Sequence, residues 1–206
     1  MRLIWAASED RLARVADPAL HDWSRSWAAW MNAAHAENTR ARVIVLSSPP
    51  FMFLAEELAR ALPAAHFLLL VRDPLAIASG IVRRGDQQSL APGEHLPEVV
   101  GRHIVACFER QRENVGALGE NGLLLRYEDI CADPAQAGHR ILRHVQELEK
   151  VDLAQPVTVK GLYHEPLRNM NADTIGSLSA SDLGALEAIF ANHRELFDFF
   201  GYEVAQ

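Results

Sequence analysis

Lysine is almost missing from this chain. Among 206 residues it occurs only as Lys150 and Lys160, so arginine carries nearly all the positive charge. Glycine is missing until Gly80. No GxxxxGK[ST] loop is present, which excludes an ordinary nucleotide kinase. The two cysteines, Cys107 and Cys131, form no CxxC pair, so neither a disulfide framework nor a zinc knuckle is expected, and a reducing compartment is. Without GxSxG, a serine hydrolase has no support. "YHEPLRN" holds His164-Glu165 but is not HExxH, and His139 and His144 lack a partner at ligand spacing, so no metal is expected. No apolar run approaches the roughly 20 residues of a membrane span. The opening "MRLIWAASEDRL" meets acids too early for a signal peptide. The expected location is cytoplasmic.

What remains is an ordinary globular composition, 49% hydrophobic and 23% charged. The length fits one domain, residues 1–206. A net charge of −7 argues against a nucleic-acid partner but permits a local basic pocket.

Hydrophobic spacing predicts a helix over residues 8–35, with Trp23, Trp27 and Trp30 on one face. Those tryptophans are read as a packing stripe, ahead of an acceptor pocket. "RVIVLS" (Arg42–Ser47) reads as a strand buried on both faces, stopped by Pro49 and Pro50. A helix from about Phe51 ends at Pro63. "FLLLV" (Phe67–Val71) is a second strand. Asp73 caps the next helix, Pro74 opens it and Gly85 ends it. A loop over 86–97 precedes a long helix whose stripe includes Val100, Ile104, Phe108, Gln111 and Leu118. "GLLLRYEDI" supplies a third strand. Asp133-Pro134 starts a helix through about Leu148, "QPVTVKGLYHEPLRN" (Gln155–Asn169) is irregular with room for a short strand, and Ser179 and Asp182 have capping-box spacing at the start of a closing helix that runs to Gly201. Strands alternating with helices predict an α/β domain whose short sheet is mostly parallel and flanked by helices. Ligands in such sheets sit at the carboxyl ends of the strands, where Ser47, Arg72 and Arg126 fall.

Arg72 leaves its strand beside a helix start, where backbone N–H groups are unpaired and partly positive. A guanidinium there suits a phosphate. The competing reading pairs Arg72 with Asp73 or another surface acid. Ser79 is expected at the edge of that helix, beside a core face of Leu75, Ala78 and Val82, with Arg83 on its polar side.

Residues 47–84, "SSPPFMFLAEELARALPAAHFLLLVRDPLAIASGIVRR", resemble the sulfotransferase family: Ser-Pro-Pro, a helix, then "LVRDP" and a helix. "LLLRYEDICADP" resembles the family's later "RYEDL-x-x-DP" block, and "LSASDLGALEAIFANHRELFDFFGYE" its closing helix and Gly-Tyr. The blocks come in family order and cover most of 42–203, with 1–41 as a helical segment in front. The resemblance implies a P-loop-like three-layer fold, the donor 3′-phosphoadenosine 5′-phosphosulfate (PAPS), no metal, and transfer of a sulfuryl group to a hydroxyl or amine of a small-molecule or glycan acceptor. It implies Arg72 and Ser79 as holders of the 3′-phosphate, and Tyr127 near the adenine or packed on the sheet. Ser79 departs from the pattern, which puts the serine where this chain has Gly80; one helical residue is a turn of about 100°.

The family's phosphosulfate loop should precede "SSPP", with a lysine often placed where Ser47 stands. Residues 1–41 show no such loop, and no catalytic base is identified. Glu56 and Glu57 read as helix-surface acids, and His66 as packed or solvated. Two readings stand: the later part of a sulfotransferase whose first strand and loop lie upstream, or a degenerate member that binds a nucleotide or a protein partner without catalysis. A gap at the first strand would be covered by the N-terminal helix or by a homodimer.

Overall fold

The computed structural model describes residues 4, 6–38, 40, 42–85, 90–159 and 163–204. Lys160 and residues 86–89 of the expected loop lie outside the described residues.

The expected helix over 8–35 is two helices. α1 (Glu9–Ala16) stops at Asp17, because Pro18 has no amide hydrogen to continue the ladder and Asp17 Oδ1 accepts from the Ala19 amide at 2.9 Å. Asp22 then caps α2 (Trp23–Glu37), accepting from the Arg25 amide at 2.9 Å. The tryptophan stripe is only partly a packing face. Trp30 meets Phe51 edge-on at 6.0 Å, while Trp27 is 41% exposed and α2 buries no residue.

The expected strand Arg42–Ser47 is not a strand. The segment runs without a sheet ladder, and Val45 is 78% exposed. β-branched residues favour extended backbone, but a strand exists only when a neighbour answers its N–H and C=O groups. Pro49 and Pro50 open a tight 3-10 turn (Pro49–Leu54) before α3 (Ala55–Ala61).

The centre is one parallel pair. β1 (Phe67–Val71) lies beside β2 (Gly122–Arg126), with Phe67 opposite Gly122 and Val71 opposite Arg126. Between them run α4 (Pro74–Val82) and the long α5 (Leu96–Leu118). This is a right-sized βαβ crossover, which parallel pairing requires. β1 alternates: Leu69 and Val71 are buried, whereas Leu70 is 58% exposed. So the sheet is flanked by helices, and one side of β1 still faces outward.

After β2 come α6 (Tyr127–Ala132) and α7 (Pro134–His144), the latter capped by Asp133 and shorter than expected. β3 (Val157–Val159) and β4 (Tyr163–Glu165) form an antiparallel pair. A one-turn helix, α8 (Asn171–Ile175), follows; nothing in the residue pattern announces it. The expected closing helix is broken into α9 (Ala180–Ala191), capped by Ser179 on the Asp182 amide at 3.1 Å, and α10 (Arg194–Phe199).

The core forms where α5, α9 and α10 meet. Val100, Ile104 and Phe108 pack with Leu186, Phe190 and Phe197. Phe108 is the hub, its ring 5.1 Å from Phe197, 5.2 Å from Phe200 and 6.0 Å from Tyr202, all edge to face. Two buried amides on the same helix act as ties: Gln111 donates to the Leu70 carbonyl at 3.3 Å and Asn114 to the Met52 carbonyl at 2.8 Å. Phe108→Ala is expected to destabilise the fold by about 3–5 kcal/mol, measured by urea unfolding; a loss under about 1 kcal/mol would mean the aromatic cluster is not the core.

His103, buried on α5, accepts from the Ala6 amide at 3.2 Å through Nδ1 and so pins the N-terminal segment. Burial pushes its pKa down to about 4. In the unfolded chain the imidazole titrates near about 6.5. The unfolded state therefore takes up the proton first as pH falls. The stability contributed by neutral His103 is full above that value and is lost between about pH 6.5 and 4. Between pH 7.5 and 5 this amounts to about 2 kcal/mol, and His103→Gln should flatten that slope in denaturant titrations. Parallel pH profiles for the two proteins would refute the assignment.

Candidate functional site

The strand register builds the site. Because Val71 faces Arg126, the next residues, Arg72 and Tyr127, leave the sheet side by side. The Arg72 guanidinium lies over the Tyr127 ring, 4.4 Å from its centre. Its Nε donates to Asn171 Oδ1 at 2.8 Å and its Nη2 to Thr174 Oγ1 at a long 3.5 Å. Arg72 is half-buried, and among the described residues no carboxylate forms an ion pair with it. Its other N–H groups are left available.

The start of α4 differs from expectation. Its amides are already answered by carboxylates. Asp73 Oδ1 accepts from the Ala76 amide at 3.0 Å, and Glu128 Oε1 accepts from the Asp73 amide at 2.9 Å; Pro74 has no amide hydrogen. The helix end is therefore already occupied by the chain's own carboxylates.

Glu128 is the junction of the site. Oε1 also accepts from Asn171 Nδ2 at 2.7 Å, and Oε2 from the Tyr202 hydroxyl at 2.9 Å. Burial by itself would raise its pKa. The hydrogen bonds from the Asp73 amide, its own amide, Asn171 and Tyr202 outweigh that and hold it below the ordinary value. Burial raises the Asp73 carboxyl, with help from the Glu128 charge, against the lowering effects of the Ala76 and Leu75 amides and of Arg72.

Ser79 is not at an edge. It is 0% exposed, because α8 lies across α4 there. Its hydroxyl donates to the Thr174 carbonyl at 2.6 Å and lies 3.2 Å from the Ser177 hydroxyl. Ala76 and Ile81 join Ala78 on the buried side, whereas Arg83 is exposed as expected. Tyr127 donates to the Arg168 carbonyl at 2.7 Å and accepts from the Met170 amide at 3.2 Å. Arg72, Ser79 and Tyr127 are thus brought under one segment, 168–177.

The other strand-end groups go elsewhere. Arg126 lies over the Tyr202 ring at 4.7 Å and donates to the Gly201 carbonyl at 3.0 Å. Ser47 sits in the exposed segment without a ladder. Glu57 pairs with Arg60 on the surface, and His66 meets the His144 ring at 5.1 Å. One open depression is lined by Gln136, His139, Leu142 and Arg143, another by residues of α1 with Phe53 and Arg110; neither includes Arg72, Ser79 or Tyr127. Among the described residues no group of three or more metal-ligating side chains converges, and no helix is long and apolar enough to cross a membrane.

Sequence reasoning missed Glu128, Asn171 and Thr174. Glu128 had a signal, since it stands next to Tyr127 in "RYEDI". Asn171 and Thr174 had none, because a single helical turn leaves no periodicity to read.

Residues 5–149 match the profile of the Sulfotransferase family. Among curated proteins none matches significantly. The matched stretch covers more than half of the chain and carries β1, α4, α5, β2 and the residues Arg72, Ser79, Tyr127 and Glu128. The chain belongs to the sulfotransferase family.

Proposed function

We propose that this domain binds the sulfuryl donor PAPS and that Arg72 grips the 3′-phosphate of its adenosine. The carrying observation is the state of Arg72. A guanidinium at a parallel strand's tip lies against a tyrosine ring, an amide oxygen and a hydroxyl, and among the described residues it forms no ion pair with a carboxylate. Neutral partners of that kind leave uncancelled the charge that an anion would seek. Tyr127 stacks against it, and the adenine is assigned to the neighbourhood of that ring. Ser79 contributes through the packing of α4 in the protein as it stands, since its hydroxyl is committed to Thr174.

The P-loop-like reading of the fold belongs to this proposal. It is supported by the parallel pair with its helical crossover and by the polar groups at the carboxyl ends of its strands. The donor supplies the sulfuryl group. In the reaction the acceptor oxygen or nitrogen bonds to sulfur, the bond from sulfur to the 5′-phosphate oxygen breaks, and the acceptor's proton leaves to a base. Adenosine 3′,5′-bisphosphate is released. Arg72 binds and orients at the 3′ end, away from the bond that breaks. This chain's described residues are assigned neither to the 5′-phosphosulfate nor to the base. The acceptor is proposed as a hydroxyl or amine of a small molecule or glycan.

A second reading, a non-catalytic nucleotide-binding module, is favoured by one observation: no glycine precedes Gly80, so the sequence before "SSPP" lacks the residue that most readily lets a backbone approach a phosphosulfate closely. Both readings place the nucleotide at Arg72, and turnover separates them.

Calorimetry with adenosine 3′,5′-bisphosphate tests the shared claim. Arg72→Ala is expected to weaken binding about 10- to 100-fold, the worth of charge-assisted hydrogen bonds to phosphate. Arg72→Lys should recover only part of the loss, because the planar fork is gone. Equal heats from wild type and Arg72→Ala would remove Arg72 from the site. Release of adenosine 3′,5′-bisphosphate from PAPS, dependent on an acceptor, would decide for the enzyme; binding without release would decide for the module.

A further inference from the structure

We propose that residues 168–177, with α8 at their centre, act as an internal strap that occupies the phosphate-binding groups and that the nucleotide must displace. This rests on the assignment of Arg72 to the 3′-phosphate. The strap presents oxygen atoms to each of the groups expected to meet that phosphate. The Asn171 amide oxygen takes Arg72 Nε at 2.8 Å, the Thr174 hydroxyl lies at 3.5 Å from Nη2, and the Thr174 carbonyl takes the Ser79 hydroxyl at 2.6 Å. The Arg168 carbonyl and the Met170 amide engage the Tyr127 hydroxyl from the same segment. An amide, a hydroxyl and a carbonyl here fill the places of phosphate oxygens, with no charge among them.

Two features make displacement feasible. The first is the relative strength of the partners. A guanidinium bonds a phosphate more strongly than it bonds neutral oxygens, so exchange runs downhill in the local contacts. The second is the weakness of the strap itself. α8 has five residues and buries none of them. A single turn has little intrinsic stability, and segments with few buried apolar contacts open at low cost. Nor does opening strand a charge. When Asn171 leaves, Glu128 keeps the Asp73 amide and the Tyr202 hydroxyl as donors.

The strap thus makes nucleotide affinity the difference between two competing occupancies. A ligand bound only to the open form has an apparent affinity reduced by the fraction open, and loosening the strap removes that reduction. The mirror consequence is kinetic: bound nucleotide holds the strap off, and its amides lose protection.

The test combines two measurements with adenosine 3′,5′-bisphosphate as probe. In calorimetry, Asn171→Ala is expected to bind about 10- to 100-fold more tightly than wild type, the worth of one hydrogen bond to a charged donor. In hydrogen–deuterium exchange on the wild-type chain, nucleotide is expected to speed exchange over residues 168–177 and not elsewhere. Binding by Asn171→Ala alone, with none by wild type, is the extreme form of the same result. Weaker binding by Asn171→Ala, or added protection of 168–177 by nucleotide, overturns the strap and makes the segment part of the ligand's embrace; Arg72 keeps its role if Arg72→Ala still loses affinity. If Arg72→Ala binds as wild type does, or if neither wild type nor Asn171→Ala binds, the Arg72 assignment fails and the strap with it. The exchange measurement needs no variant, so a poorly folded Asn171→Ala leaves the proposal open to refutation.

Discussion

The register of one parallel strand pair governs where the polar groups of this domain can go. β1 and β2 are five residues each, paired end to end from Phe67 opposite Gly122 to Val71 opposite Arg126. Successive side chains alternate between faces. A shift of one residue would therefore send Arg72 away from Tyr127 and bring Asp73 beside the ring instead. Leu69 and Val71 hold the register by burial, and Gln111 reinforces it by gripping the Leu70 carbonyl. Gly122 permits the pairing to start as close as it does, since an added Cβ would stand 3.0 Å from Leu118 Cβ and 3.5 Å from Leu69 Cδ1. The site is a consequence of that packing.

Electrostatically the site is a contest between one cation and two carboxylates. Asp73 and Glu128 both sit at the start of α4, where the helix end stabilises negative charge. Glu128 stays ionised because four donors converge on it, and it spends that charge on structure: α6, α4, α8 and the C-terminal Tyr202 all meet at one carboxylate. The usual argument for an anion at a helix N-terminus therefore does not hold for this helix. Of the two arginines at the strand ends, Arg126 is drawn off to Tyr202 and Gly201, whereas Arg72 forms no ion pair among the described residues.

Where local chemistry settles structure, the residues were readable. Asp73-Pro74 opens α4, Asp133-Pro134 opens α7, and Ser179 caps α9, each as its side chain dictates. β1, β2 and the α5 stripe followed from burial patterns with no tertiary ambiguity. Failures came where a partner decides the outcome. "RVIVLS" has strand composition, yet composition cannot supply the neighbouring ladder, and the segment lies open with Val45 exposed. The helix expected over 8–35 was divided by Asp17 and Pro18, a local signal overlooked because the tryptophan spacing runs on beyond it. The pattern of its own helix puts Ser79 at an edge; α8, from 95 residues away in sequence, covers it.

That last case carries a wider consequence for reading α8. A one-turn helix with no buried side chain gains nothing from propensity or from a hydrophobic face. Its position is set by its hydrogen bonds: Thr174 back to the Met170 carbonyl at 2.6 Å, Ser177 to the Thr174 carbonyl at 2.7 Å, and Asn171 between Arg72 and Glu128. Every one of these is polar, short-range and replaceable by water or by a stronger acceptor. Aromatic packing around Phe108 in the middle of α5 holds the fold, while hydrogen bonds from α8 arrange the groups around Arg72.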